Sequence, residues 1–89
     1  MANPTIFQCA ENTWTIVASG VTTGYIYNMT PNVEFLQTYR EVGNLPPSVD
    51  EDAYPAFVYG QHYERIKHAT SIDVYMMARE TPGVVRVDV

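Results

Sequence analysis

Along most of this chain apolar and polar positions alternate with a period of two, the spacing of strands that bury one face. Ile72, Val74 and Met76 alternate with Asp73, Tyr75 and Met77. Thr81-Pro82-Gly83 breaks the run, and Val85 and Val87 then alternate with Arg86 and Asp88. Upstream, Trp14, Ile16 and Ala18 share one parity against Thr13, Thr15 and Val17, and Trp14 is expected in the core. Ser19-Gly20 supplies a turn signal before Val21–Asn28, where Gly24 fits a bulge or tight bend ahead of Tyr25-Ile26-Tyr27. From Asn32 to Glu41, Val33, Phe35, Gln37 and Tyr39 alternate with Glu34, Leu36, Thr38 and Arg40, and the β-branched and aromatic content favours a strand. Thr5–Ala10, Ala56–Tyr59 and Gln61–His68 complete the series. A helix over Tyr63–His68 is the competing reading, but its one strong apolar residue, Ile66, makes a poor helical stripe.

Val42–Pro55 differs in kind. Gly43-Asn44, Pro46-Pro47, the acidic Asp50-Glu51-Asp52 and Pro55 remove ladder donors and fix backbone angles, which predicts a long Pro-rich surface loop over 42–55. About seven short strands punctuated by turns predict an all-β fold. The expectation is a small single-domain β-sandwich over residues 1–89, of jelly-roll or immunoglobulin-like kind.

Length and charge narrow what such a domain does. A chain of 89 residues buries only about 60–65% of its unfolded surface, so a partner surface would add stability. Cys9 is the sole cysteine, which excludes an internal disulfide and a thiolate cage for zinc. The net charge is −5, and the five basic residues, Arg40, Arg65, Lys67, Arg79 and Arg86, are scattered. A phosphate backbone asks for clustered cations, so no nucleic-acid partner is expected. No apolar run approaches the roughly 18 residues of a membrane span, and Met-Ala-Asn-Pro at the start lacks the basic and apolar regions of a signal peptide. No membrane partner is expected.

Reactive constellations are thin. His62, Glu64 and His68 share a strand parity, but in an extended segment the two histidines stand about 20 Å apart, too far to share a metal. Asp50-Glu51-Asp52 lacks the alternation and glycine of a calcium loop and reads as a solvated run. Cys9 has no histidine near it in sequence and suits a small buried role. Ser19, Ser48 and Ser71 sit in no nucleophile-elbow pattern. Asn28-Met29-Thr30 matches a glycosylation acceptor without a secretion signal to give it meaning. The expectation is therefore no enzyme, no metal and no cofactor. The aromatics point instead to recognition: Tyr25, Tyr27, Tyr39, Tyr54, Phe57, Tyr59, Tyr63 and Tyr75 are many for this length, and tyrosine suits partly buried interfaces. Tyr54, Phe57 and Tyr59, with Pro46 and Pro47 of the Pro-rich loop, are the expected partner-binding residues.

The order of these features resembles a known group. Trp14 opens an early strand, Val21-Thr22-Thr23-Gly24 follows, then Tyr39-Arg40 with Gly43 and Pro46-Pro47. Glu64-Arg65-Ile66 precedes Ile72-Asp73-Val74-Tyr75-Met76, and Val85-Arg86-Val87-Asp88 closes the chain. From Trp14 onward this resembles the small β-rich virion structural proteins of tailed bacteriophages, including capsid cement or decoration proteins and head-fibre or tail-associated subunits. The resemblance implies a non-enzymatic subunit on the virion, made in the host cytoplasm. It implies a homo-oligomer, often a trimer, that bridges major capsid proteins and stabilises the phage head. A head-fibre, neck or tail position is the alternative within that group, and a carbohydrate- or receptor-binding module is the alternative outside it.

Overall fold

Two long strands carry the architecture. In the computed structural model, which describes residues 5–44, 47–48, 53–57 and 61–89, β2 runs Thr15–Asn28 and β5 runs Tyr63–Ala78. Around them lie β1 (Thr5–Cys9), β3 (Phe35–Glu41), β4 (Tyr54–Pro55) and β6 (Gly83–Asp88). The domain is all-β, as the alternation predicts, with no helix among the described residues. Among the described residues, six antiparallel strands form one sheet in the order β1-β6-β2-β5-β3-β4. The turn signal at Ser19-Gly20 bends a strand without ending it, and the strands expected over Gln61–His68 and through Ile72–Met77 run together as β5. Ala56 and Phe57, expected to begin a strand, form a bend.

The bends have a clear cause. Between Ile16 and Ala18, and again between Ala18 and Val21, β2 gains a residue on β5. The second bulge places Gly20 at φ 66°, a left-handed conformation that glycine adopts without a Cβ penalty. Buried Asp73 reaches across from β5, and its carboxylate accepts from the Ser19 hydroxyl at 2.9 Å and the Gly20 N–H at 3.0 Å. An amide taken out of the ladder thus regains a partner, and a charged acceptor makes the stronger kind of hydrogen bond. Farther on the excess reverses. β5 passes from Ile72 to Lys67 while β2 passes only from Val21 to Thr23, so the extra chain around His68–Ser71 forms the opposing corner.

These corners fold the sheet onto itself. The first layer is β1, β6, the second half of β2 and the first half of β5; the other is the first half of β2, the second half of β5, β3 and β4. Strands that change layer through bulges are a recognised way of making such a corner. At one end the layers are tied by the main chain, with Asn12 N–H donating to Ala78 O at 2.8 Å and Ala78 N–H to Ala10 O at 3.2 Å. β5 and β6 do not pair with each other, so the Pro-Gly break carries the chain from one layer to the next.

Between the layers lies the core, with Cys9, Ile26, Phe35, Met76, Val85 and Val87 fully buried. Phe35 meets Phe57 edge to face at 5.6 Å. The second half of β5 is covered on both sides: Ile72, Val74, Met76 and Ala78 face this core, and Asp73, Tyr75 and Met77 on the opposite parity are buried too. That second parity is therefore neither wet nor free for a partner. Trp14, expected in the core, is half-buried just ahead of β2, and its indole N–H donates to Ser48 O at 2.8 Å. Neighbouring Pro47 is buried, so this part of the Pro-rich loop is held against the body.

Candidate interaction face

The outer surface of the first layer carries exposed Tyr25 and Tyr63, with half-buried Tyr27 beside them. Ile26 points into the core, so Tyr25 and Tyr27 on the same strand project outward. Cross-strand register sets Tyr27 opposite Tyr63 on β5 and opposite Arg86 on β6, and Arg86 in turn lies opposite Ile6 on β1. Ile6, Arg86, Tyr27 and Tyr63 therefore form a row across four strands. In the adjacent row Tyr25 lies between Arg65 and Asp88.

The three tyrosines form one cluster. Ring centroids lie 6.2 Å apart for Tyr25 and Tyr27, 5.9 Å for Tyr25 and Tyr63, and 6.3 Å for Tyr27 and Tyr63. The Arg86 guanidinium sits 4.3 Å from the Tyr27 ring centre and 3.4 Å from the Asp88 carboxylate. The Nε of Arg86 and one Asp88 oxygen are covered and lack a hydrogen-bond partner among the described residues. Even so, Ile6 remains 58% and Tyr63 50% exposed. Packed rings of this kind lose little further rotamer freedom on binding, which is why tyrosine and arginine anchor interfaces.

The residues expected to bind a partner fall differently. Tyr54 is 59% exposed on β4, opposite Gln37. Phe57 is in the core and not on the surface: its backbone turns at φ 57°, its N–H donates to the Glu64 carboxylate at 2.6 Å, and its ring is driven against Phe35. Pro47 is buried, which removes it from the accessible surface of the chain. Pro46 and Tyr59 lie outside the described residues. The parity of Tyr25 and Tyr27 was a readable signal for the outer face. Their register with Tyr63 and Arg86 was not.

Some polar side chains elsewhere have local structural partners. Glu64 holds the Phe57 amide, and the His68 ring packs edge-on to Tyr39 at 5.1 Å, with Nδ1 3.3 Å from Thr70 O. His62 is exposed. No group of three or more metal-ligating side chains occurs among the described residues, and Asp50, Glu51 and Asp52 lie outside them. Asn28 accepts the Thr30 N–H at 2.9 Å, while the Thr30 hydroxyl accepts from Val84 N–H at 2.9 Å, so the Asn-Met-Thr triplet shapes the turn after β2.

Cys9 is fully buried, and burial pushes its thiol up from 9.0 to about 11. The unfolded chain ionises from about pH 9 while the folded one holds its proton. The contribution of Cys9 to stability is thus intact below about pH 9 and falls by about 2–3 kcal/mol as pH rises to about 11. Urea unfolding at about pH 8 and about pH 10.5 should show that decline, and Cys9→Ala should remove it. An identical slope in both proteins would show that the thiol is not its source.

Set against known proteins, the chain matches no family model, no curated protein and no solved structure.

Proposed function

We propose that this chain is a non-enzymatic structural subunit that docks on larger protein neighbours through its Tyr25–Tyr27–Tyr63 face. The observation that carries the reading is the row Ile6–Arg86–Tyr27–Tyr63 on the outer surface, with exposed Ile6 and Tyr63 at its ends and half-buried Arg86 and Tyr27 between them. Surface of this composition is what interface cores contain. The likeness to phage virion proteins supplies the setting: a cement or decoration subunit, assembled as a trimer, bridging major capsid proteins on the head. Many weak copies of one contact on a symmetric particle multiply into firm attachment. A net charge of −5 keeps a densely decorated surface soluble.

The test is co-sedimentation of the purified protein with undecorated capsids. Saturable binding at about micromolar concentration is expected, since avidity lifts modest single contacts into that range. No binding there would end the cement role, and imaging of intact particles would then decide for or against a head-fibre, neck or tail position.

One observation favours a carbohydrate- or receptor-binding role as the second reading. Tyr25 and Tyr27 lie within 30° of parallel, with Arg65 and Asp88 flanking Tyr25 across the strands. Stacked aromatic faces edged by charged hydrogen-bonding groups suit sugar rings as well as protein. Binding on a glycan screen that Tyr25→Ala abolishes would favour this reading over protein docking.

A further inference from the structure

Beside the tyrosine face, the first half of β5 presents a strand edge with chemistry of its own. Asn28 N–H donates to His62 O at 2.9 Å, and Met29 N–H to Val84 O at 3.0 Å. Hydrogen-bonded and non-bonded pairs alternate along an antiparallel ladder. With Ile26 opposite Glu64 and Gly24 opposite Ile66, the main chain of Glu64 and Ile66 bonds β2. The main-chain groups of Tyr63, Arg65 and Lys67 then point to the far edge. Among the described residues no strand pairs with that edge, because β3 meets β5 only over Ile72–Ala78.

A groove of about 430 Å³ runs along this edge. Residues 64–68 all line it, as consecutive residues do when a strand is met edge-on, and Tyr39 and Tyr54 lie on its far side. Ile66, Ile72 and Val74 supply apolar surface. The charged lining is lopsided: Arg65 and Lys67 against Glu64, whose carboxylate accepts from the Phe57 N–H. Arg65 and Lys67 have no carboxylate partner among the described residues. A basic groove on a chain of charge −5 is a local reversal of sign.

We propose that the β5 edge over residues 63–68 takes up an extended acidic segment of a partner protein as an added strand. Free main-chain groups would supply the ladder, alternate side chains would meet the apolar lining, and Arg65 and Lys67 would select for Glu or Asp. The same cations oppose pairing of this edge with its own copy, which would bring like charges together. The occupant is therefore another chain's acidic strand and not this edge repeated.

The experiment uses a fluorescent peptide of about eight residues, strand length, that alternates valine and glutamate. Three comparators accompany it: the same peptide with lysine for glutamate, a copy N-methylated at every peptide nitrogen, and the protein variant R65E/K67E. The acidic peptide should bind, and each comparator should weaken binding by about tenfold or more. Amide exchange at Tyr63, Arg65 and Lys67 should slow when it does. Absence of binding overturns the proposal, as does binding indifferent to N-methylation or to R65E/K67E. The single variant Tyr27→Ala, on β2, lies outside both this edge and the groove lining and should leave peptide binding unchanged, which keeps this test separate from capsid docking.

Discussion

Phe35→Ala should cost about 3–5 kcal/mol, the largest stability loss of any single truncation in this chain. The ring is 1% exposed, packs edge-on to Phe57 at 5.6 Å, and bridges the two layers at the end where β6 begins. A Cβ built on Gly83 would stand 2.5 Å from Phe35 Cζ and 3.0 Å from Val33 Cγ1, so the ring fills the space a side chain at 83 would occupy. Small domains have about 5–15 kcal/mol in total, so the variant approaches the limit of folding. Urea unfolding would measure it, with Phe35→Leu as the milder member of the series. Gly83→Ala should cost about 1–3 kcal/mol alone, because a ring buried on all sides has nowhere to retreat. In the Phe35→Leu background that cost should shrink. Strictly additive losses would mean that positions 35 and 83 do not share the space described.

The double variant Tyr27→Ala/Tyr63→Ala should have the largest effect on docking. Neither residue belongs to the core, so the chain should stay folded. Capsid binding should fall by about thirtyfold to a thousandfold, the loss of two hot-spot aromatics. Tyr54→Ala tests the site first suggested by sequence. It too should leave the monomer folded and weaken assembly, but less than the double change, since Tyr54 has no aromatic neighbour across its strand pair. Parallel sedimentation and thermal unfolding separate the two properties. If the double variant binds capsids like the parent, the tyrosine face is not the docking surface. If Tyr54→Ala unfolds the chain with no separate effect on assembly, Tyr54 is structural.

How much of this was legible follows from where each signal resides. Alternation is local, so the all-β class and the inward parity of Ile72, Val74, Val85 and Val87 could be read directly. The fate of Ser19-Gly20 could not. Whether it ends a strand or bulges one is decided by Asp73, far along the chain, whose carboxylate satisfies the displaced amide. Phe57 misled for the same reason. Its place beside a Pro-rich stretch suggested exposure, but the Glu64 carboxylate fixes a left-handed turn that sends the ring inward. Tyr25 and Tyr27 announced an outward parity, yet only register reveals that Tyr63 and Arg86 complete the cluster. Charge followed the same logic. Arg65 and Lys67 looked scattered in the sequence and gain a common edge only because, among the described residues, no strand pairs with the side of β5 turned away from β2 there.

The passage of β2 and β5 through both layers also governs how the molecule comes apart. Neither half can peel away intact, since each borrows strands that the other needs, and melting one removes the backbone partners of its counterpart. A domain built this way should yield as a single block under mechanical load.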